Sequence, residues 1–522
     1  MISAVGHLFR LARAGFVFAR EGVFALADPA ALPASARLGL KLARLIERPT
    51  AEGASVRLST ALTRLGPTYV KLGQFLATRP DVVGPALARD LESLQDRMAP
   101  FPQGEAEAQV AAALGKPLKE IYTSFGPAVA AASIAQVHRA EADGQTVAVK
   151  VLRPGIERRF KSDLDTLYFA ARSAERHSAE ARRLRMIEVV DTLARSVAIE
   201  MDLRLEAAAI AEMRDNIKGD PDFRVPTVDW ERTARGVLTL AWIDGTPLSN
   251  RAALEARGLD LPALGRALMQ AFLRHALRDG FFHADMHPGN LFLDSDGRIV
   301  AVDFGIMGRL SPKERRFLAE ILYGFITRNY YRTAEVHFEA GYVPPHHSVE
   351  SFAQAIRAIG EPIHGQKAQD ISMARLLRLL FDMTEMFDMA TRPELLLVQK
   401  TMVVVEGVAR SLDPHFDLWA TSEPILREWI ERHLGPAGQL EMAADGIGAL
   451  GRLAGELPRL AERAERLSAD FAEMSERGIR LAPETIEGIA RSEARGGRWG
   501  RVALWVIAVV AAAAAVRFLL FQ

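Results

Sequence analysis

The residues whose chemistry stands out lie in one short stretch, FFHADMHPGNLF, at positions 281–292. One interpretation is a metal site, in which His283, Asp285 and His287 contribute alternate side chains of an extended segment. The Pro-Gly pair that follows disfavours a regular strand at this place. The sequence also has no HExxH motif that would suit zinc. A metal ion held by these histidines is therefore the less favoured interpretation.

A catalytic loop explains more of the same stretch. Asp285 precedes Asn290 by five positions, and a predicted hairpin then leads to Asp303 in the sequence DFG. An aspartate that faces the acceptor, with an amide and a second carboxylate that bind Mg²⁺, suits phosphoryl transfer. The combined pattern HxDxxxxN…DFG is that of protein kinases and is much more specific than DFG alone. We therefore predict Asp285 as the catalytic base and Asn290 and Asp303 as Mg²⁺ ligands.

A strand in the first half of the chain ends at a lysine that could contact phosphate. The motif VAVK ends at Lys150, and the helical region that follows carries Glu200, Asp202 and Glu206. Asp202 and Glu206 are four residues apart, a spacing at which like charges on a helix repel by about 0.3 kcal/mol. Lys150 or a metal ion would compensate this repulsion, and solvent exposure would also make it tolerable.

The segment that should cover the phosphates is rich in alanine instead of glycine. Four small residues occupy the position of the kinase glycine-rich loop: Ala130, Ala131, Ala132 and Ser133. The Cβ of alanine restricts positive φ angles and limits how closely a backbone can wrap a phosphate. The sequence predicts a nucleotide site at these residues that differs from that of an ordinary kinase.

The order of the predicted elements gives the fold class and the domain boundaries. Two strands turn at Asp143-Gly144, helices follow to about residue 218, and another strand covers 235–245. A second hairpin turns at Asp296-Gly297 before a mostly helical half. This is an α+β arrangement of two lobes. The predicted domains are an N-terminal helical extension (1–100), an N-lobe with inserted helices (101–250), a helical C-lobe (251–490) and a C-terminal segment (498–522).

Composition excludes several classes of function. The chain has 522 residues, equal numbers of basic and acidic side chains at 65 each, and no cysteine. A formal net charge of zero argues against nucleic acid as the main partner. Without cysteine the chain forms no disulfide, thiolate metal site or cysteine nucleophile.

Both ends of the chain suggest contact with a membrane. Residues 502–516 carry no charge and follow a group of arginines, which predicts a transmembrane anchor over 498–522 that leaves the preceding domain in the cytoplasm. A buried alanine-rich helix is the alternative. A helix at 1–20 places five apolar residues on one face: Val5, Leu8, Phe9, Ala12 and Phe16. This face could lie on a membrane or pack against the body of the protein.

Six motifs in a fixed order connect these residues to a known family. They are KLGQ (71–74), AAASIAQVHRA (130–140), VAVKVLRPGI (147–156), EMD (200–202) with Glu206, HADMHPGN (283–290) and VDFG (302–305). The chain thereby resembles the UbiB family of atypical kinase-like ATPases, whose eukaryotic relatives are the ABC-one or ADCK kinases. The motifs cover most of residues 60–310, so chance agreement is negligible.

The resemblance implies a protein-kinase-like fold that uses ATP and Mg²⁺. It implies that Lys150 contacts the α- and β-phosphates, that Glu206 is its ion-pair partner, and that Asn290 and Asp303 bind Mg²⁺ while Asp285 takes the position of the base. It further implies that the KxGQ segment packs over the active site. The residues implied for an inhibitory contact that occludes a protein substrate are Lys71, Gln74, Glu200 and Asp202.

The resemblance also implies a role in ubiquinone biosynthesis at the cytoplasmic face of the bacterial inner membrane. The expected partners are ATP or ADP, a polyprenyl-phenol lipid, the membrane and other ubiquinone-biosynthesis proteins. The family is often labelled a 2-polyprenylphenol 6-hydroxylase, but the sequence has no flavin fingerprint, facial iron triad or haem motif. We therefore interpret that label as a pathway assignment. Three activities stay open: an ATPase, a kinase for a protein or small molecule, and a nucleotide-gated scaffold.

Overall fold

The structure, a computed structural model, describes most of the chain. The described residues are 2–23, 46–48, 54–77, 98–177, 179–364 and 393–435, with further positions at 83, 87, 90, 91, 383 and 386–389. The predicted anchor at 498–522 lies outside them. Within the described ranges, no helix is both long enough and apolar enough to cross a bilayer.

The N-terminal extension contains the described helices α1 (Ile2–Arg20), α2 (Ala54–Leu65) and α3 (Pro67–Ala77). Gly66, with a φ of +109°, separates α2 from α3, and Pro67 suits the first position of a helix because its φ is already helical. Apolar residues from the three helices, including Ala14, Leu62 and Val70, form one buried cluster. The extension therefore has a small core of its own.

A five-stranded antiparallel sheet forms the N-lobe. Helices α4 (Gln103–Leu114) and α5 (Leu118–Ile121) precede it. Its strands are β1 (Ser124–Ala131), β2 (Ala135–Ala142), β3 (Gln145–Leu152), β5 (Val228–Ala234) and β6 (Val237–Ala241), in the order β1-β2-β3-β6-β5. Asp143 and Gly144 both have positive φ angles, as a tight β2–β3 turn requires. This hairpin confirms the sequence prediction.

Four helices lie between β3 and β5 in the chain. They are α6 (Ile156–His177), α7 (Ala179–Arg183), α8 (Met186–Glu200) and α9 (Leu203–Asn216). The short strand β4 (Phe223–Arg224) follows. The predicted helical region to about residue 218 is confirmed. Helix α9 contacts both β5 and β6, and this contact places its first turns beside the sheet.

The C-lobe is mostly helical and carries two small sheets. The strands are β7 (Gly245–Pro247), β8 (Phe281–His283), β9 (Leu291–Asp294), β10 (Ile299–Ala301) and β11 (Met307–Arg309), paired in the orders β4-β10-β9-β7 and β11-β8. The helices are α10 (Arg251–Ala256), α11 (Leu261–Arg274), α12 (Pro312–Ile326), α13 (Tyr330–Glu339), α14 (Val349–His364), α15 (Pro393–Leu412) and α16 (Leu418–Leu434). A π-helical turn covers His275–Asp279 between α11 and β8. The arrangement confirms the predicted α+β class with a kinase-like order of elements.

Candidate active site

The β9–β10 hairpin brings two predicted site residues to the same place. Leu291 pairs with Ala301 in this hairpin. The residues just beyond that pair are also joined, because the Val302 backbone N–H donates to the Asn290 carbonyl at 2.9 Å. Asp303 follows directly, so the hairpin places Asn290 beside the start of the DFG segment. Local strand pairing therefore explains why an amide and a carboxylate 13 residues apart share one site.

Asp285 and Asn290 are joined directly. The Asn290 Nδ2 group donates to the Asp285 backbone carbonyl at 3.0 Å and to its Oδ2 atom at 3.2 Å. Because the amide nitrogen is engaged by Asp285, the carbonyl oxygen of Asn290 is the atom left to coordinate a hard cation. This pairing fits the predicted division of roles between the two residues.

His283 holds the catalytic loop through hydrogen bonds at both of its ring nitrogens. The Asp285 backbone N–H donates to its Nδ1 atom at 3.1 Å, and its Nε2 atom lies 3.1 Å from the Val302 carbonyl. The ring therefore accepts at Nδ1 and donates at Nε2, and burial lowers the pKa of His283 and keeps it neutral. Both ring nitrogens are already used, which argues against the metal interpretation of this stretch. Among the described residues, the one group of three side chains that could hold a metal is elsewhere, at His346, His347 and Asp388.

Lys150 lies between two carboxylates. Its Nζ atom is 2.9 Å and 3.0 Å from the two carboxylate oxygens of Glu206 and 2.9 Å from Oδ1 of Asp303. Lys150 projects from β3, Glu206 from the first turn of α9, and Asp303 from the C-lobe. The structure thus brings these three predicted residues together across both lobes.

The charges at this site depend strongly on one another. Burial opposes the charge on Lys150, but Asp303 and Glu206 outweigh it and raise the pKa of the lysine. Lys150 is also the main reason why the pKa of Asp303 lies far below its usual range. Burial raises the pKa of Glu206, and the attraction of Lys150 partly offsets this shift. The side chains of Lys150 and Glu206 are only 15% and 7% exposed, whereas Asp303 keeps 49% of its surface open to a ligand.

The backbone at Asp303 is strained. Its φ angle is +62°, in the left-handed region that side chains other than glycine rarely adopt. Phe304 holds the next position, because its buried ring packs edge-on against His283 and its backbone N–H bonds to Glu206. The segment after the hairpin is thus fixed so that Asp303 turns toward Lys150.

The alanine-rich loop is held in place by its neighbours. Both Nε and Nη2 of Arg153 donate to the Ala132 carbonyl, at 3.0 Å and 2.8 Å. The Ala132 N–H donates to Ala135 O at 2.8 Å, and the Met98 N–H donates to Ala131 O at 3.2 Å. No residue from 130 to 133 has a positive φ angle, which fits alanine and serine in place of glycine. Ser133 is buried in this turn.

The KxGQ segment reaches the site through Lys71. This lysine lies on α3, its Nζ atom is 2.5 Å from Oε2 of Glu200, and both side chains are only 12% exposed. Its charge also contributes to the lowered pKa of Asp303, so Lys71 lies near the DFG segment. Gln74 follows one turn later on the same helix and is half-buried.

Asp202 has a different local role from the one predicted. It is the N-cap of α9, and its side chain accepts the Arg204 backbone N–H at 3.2 Å and pairs with the Arg204 guanidinium. That guanidinium is the main cause of the lowered pKa of Asp202. Because a cap residue precedes the helix, Asp202 does not share a helical face with Glu206, and the expected repulsion does not arise there. The structure brings Glu200, but not Asp202, to Lys71.

Two residues that position parts of the site by hydrogen bonds were not predicted from the sequence. Arg153 binds the alanine-rich loop, and Thr401 on α15 donates its hydroxyl to the Ala284 carbonyl in the catalytic loop at 3.2 Å. Thr401 lies 117 positions from its partner, so no local pattern indicates the contact. The position of Arg153, three residues after Lys150, is the only sequence signal for its role.

The fold and the site define an atypical kinase-like protein: a β-sheet lobe with a lysine–glutamate pair, a helical lobe with a catalytic loop and DFG segment, and alanine in place of glycine over the cleft. Comparison with known proteins agrees with this class. The ABC1 atypical kinase-like domain matches residues 93–337, and the UbiB helical domain matches residues 356–417.

Two relatives carry the name "Probable protein kinase UbiB". The one from Marinobacter nauticus is 38% identical over 462 residues, which cover 87% of this chain and 84% of the relative. The one from Azotobacter vinelandii is 38% identical over 416 residues, or 78% of each chain. A solved structure of Rv3197 with erythromycin from Mycobacterium tuberculosis is 26% identical, with a TM-score of 0.48, and covers 75% of this chain and 98% of its own. The chain belongs to the UbiB family.

Proposed function

We propose that this protein binds Mg-ATP between its lobes and hydrolyses it in support of ubiquinone biosynthesis at the bacterial inner membrane. The observation that carries the proposal is the contact of Lys150 with both Glu206 and Asp303, next to the paired Asp285 and Asn290. Phosphoryl transfer needs little covalent chemistry from a protein, and its catalysis is mostly positioning and charge stabilisation. These five residues supply both.

The residues at the site fit a Mg²⁺ ion. Asp303 offers an exposed carboxylate, and Asn290 offers its carbonyl oxygen, which are the hard oxygen ligands that Mg²⁺ prefers. When bound, the ion would neutralise charge on the phosphate oxygens. One carboxylate oxygen of Asp303 is already paired with the positive charge of Lys150. Asp303 and Asn290 would hold the ion, and Glu206 would keep Lys150 in position to contact the phosphates.

Asp285 is the group that would act on the nucleophile. Its amide neighbour Asn290 fixes the Oδ2 atom, and its backbone N–H is fixed by His283. An aspartate held in this way can orient water, or accept a proton from an acceptor hydroxyl. On the family resemblance, the KxGQ segment occludes a protein substrate. The ion pair of Lys71 with Glu200 and the effect of Lys71 on Asp303 hold this segment near the site, and this supports hydrolysis over protein phosphorylation. The polyprenyl-phenol lipid and the other ubiquinone-biosynthesis proteins are proposed partners on the family resemblance.

The test is the fate of labelled γ-phosphate in the full-length protein. Wild type should release it as inorganic phosphate, and Asp285→Asn should lower turnover roughly 10²- to 10⁴-fold, the usual contribution of a positioned acid–base group, with nucleotide affinity nearly unchanged. Asp296→Asn, the same change in an exposed turn, is the matched control. Label that appears in a protein or phenol instead would identify a kinase. Equal turnover in Asp285→Asn and wild type would contradict the assigned role and favour the scaffold.

A further inference from the structure

Helix α1 has two apolar sides, and only one of them is covered. Ala14 is buried, and Val17 and Phe18 pack with it against the core of the N-terminal extension. The side predicted from the sequence is the uncovered one: the exposed fractions are 66% for Val5, 57% for Leu8, 72% for Phe9 and 48% for Phe16. The helix does pack against the body of the protein, as one of the two interpretations had it, but it does so through the side of Ala14 and not through the predicted face.

The uncovered side belongs to a helix that is firmly attached. His7 places its Nδ1 atom 3.0 Å from the Thr166 hydroxyl, and its ring stacks on Phe169 at 5.5 Å between centroids. Arg10 donates to the Ser162 carbonyl at 3.0 Å. All three partners lie on α6, so α1 is fixed on the protein from one side while its other side faces outward.

This exposure is unusual within the described part of the chain. It contains 13 large hydrophobic residues that are exposed, and four of them lie on α1. No other described helix carries more than one. Single exposed hydrophobics need no explanation, but a contiguous apolar patch of aromatic and aliphatic side chains marks a surface that binds something.

The charge on α1 indicates what covers the patch. The helix contains Arg10, Arg13 and Arg20 and no aspartate or glutamate. Basic residues beside an apolar stripe with phenylalanine and leucine are the composition of helices that lie in the plane of a bilayer surface. Arg10 is engaged with α6, but Arg13 and Arg20 lie beside the uncovered side, and the Arg20 guanidinium is 5.9 Å from the centroid of the Phe16 ring. These two arginines complement the phosphates of anionic lipids, and the apolar residues enter the boundary between headgroups and acyl chains.

We propose that α1 lies on the surface of an anionic lipid bilayer and that Val5, Leu8, Phe9 and Phe16 insert into it. This surface contact is independent of the predicted transmembrane segment and of nucleotide turnover. It would fix the orientation of the N-terminal extension, and thereby of the helix that carries Lys71, relative to the membrane.

The absence of cysteine from the chain allows an unambiguous test in the full-length protein. A single Phe9→Cys site is labelled with a polarity-sensitive fluorophore, and the protein is reconstituted at low density in vesicles that carry a spin-label quencher near the headgroups. The matched control is the same label at Trp230→Cys, an apolar residue on β5 that is 51% exposed. Vesicles of phosphatidylcholine with and without phosphatidylglycerol are compared, and circular dichroism confirms that each labelled protein is folded.

The label at position 9 should be blue-shifted and quenched at least about twofold more than the label at 230 in anionic vesicles. Its quenching should fall when phosphatidylglycerol is omitted or when Arg13 and Arg20 are changed to glutamine, because either change removes one partner of the attraction between the arginines and the anionic lipids. Equal quenching at both positions would overturn the proposal. A blue shift without quenching, with a doubled mass in light scattering, would also overturn it and assign the patch to a second copy of the chain.

Discussion

At the scale of the residue, Lys150 is the group on which the electrostatics of the site depend. It neutralises Glu206, which is 7% exposed, and it also faces Asp303. Removing one partner of a buried pair leaves an uncompensated charge, which is costly, whereas removing both can be nearly neutral. We therefore expect Lys150→Met to lower the free energy of unfolding by about 2–4 kcal/mol, with most of the loss from Glu206 because Asp303 is half exposed to water.

The double variant Lys150→Met/Glu206→Gln provides the control for this prediction. It should recover part of the lost stability, since no buried carboxylate is left without a partner. Urea unfolding of the three proteins measures the difference. A single variant as stable as wild type, or a double variant less stable than the single one, would mean that the ion pair does not behave as its burial indicates.

At the scale of the element, the contact between α3 and α8 separates two acids that the sequence groups together. Glu200 pairs with Lys71, whereas Asp202 caps α9. We expect Glu200→Gln to speed amide hydrogen exchange in α3 roughly tenfold, as the loss of about 1.4 kcal/mol of local stability would do. Asp202→Asn should leave α3 unchanged, because asparagine caps a helix as well as aspartate. Faster exchange in α3 with Asp202→Asn alone would reverse this assignment.

Helix α13 contains a buried histidine that should make stability depend on pH. No charged group among the described residues pairs with His337. Its Nδ1 atom lies 2.7 Å from the Thr333 carbonyl, and burial lowers the pKa of His337 to about 4. The unfolded chain binds a proton near pH 6.5 and the folded chain does not, so stability is full above that pH and falls as the pH drops toward 4. The lowering of the pKa of His337 corresponds to about 3 kcal/mol of the free energy of unfolding at neutral pH.

The measurement for α13 is the urea midpoint as a function of pH in wild type and His337→Gln. The glutamine variant should lose less stability than wild type between pH 7 and pH 4, because it has no imidazole to protonate on unfolding. Since every other titrating group is common to both proteins, the difference isolates this one side chain. Parallel curves would show that His337 is protonated equally in both states.

Some features of the fold are determined by residues that are neighbours in the sequence, and others are not. The hairpins at Asp143-Gly144 and Asp296-Gly297 follow from turn chemistry and strand alternation, and both form as predicted. The role of Asp202 was not predictable in the same way, because one residue decides whether a carboxylate lies on a helical face or caps the helix. The hydrogen bond from Arg153 to the Ala132 carbonyl depends on tertiary packing, which the hydrophobic periodicity of the sequence does not indicate.

At the scale of the whole molecule, the two-lobed arrangement could be predicted from the sequence because predicted strands come first, helices are inserted among them, and a mostly helical half follows. It could not decide which side of α1 is covered. Both sides of that helix are apolar, and only the packing of Ala14, Val17 and Phe18 selects the buried one. Fold class therefore follows from pattern, whereas the surfaces that contact other molecules follow from packing.

The central claim is that the cleft binds a nucleotide through Mg²⁺ on Asp303. The most direct test is thermal unfolding of the full-length protein with and without Mg-ADP and Mg-ATP. A ligand at 100 times its dissociation constant stabilises the folded state by about 2.7 kcal/mol. We predict a Mg²⁺-dependent rise in Tm in wild type and Asp296→Asn that is lost in Asp303→Asn. No rise at millimolar nucleotide in the folded wild-type protein, or an equal rise in Asp303→Asn, would contradict the account.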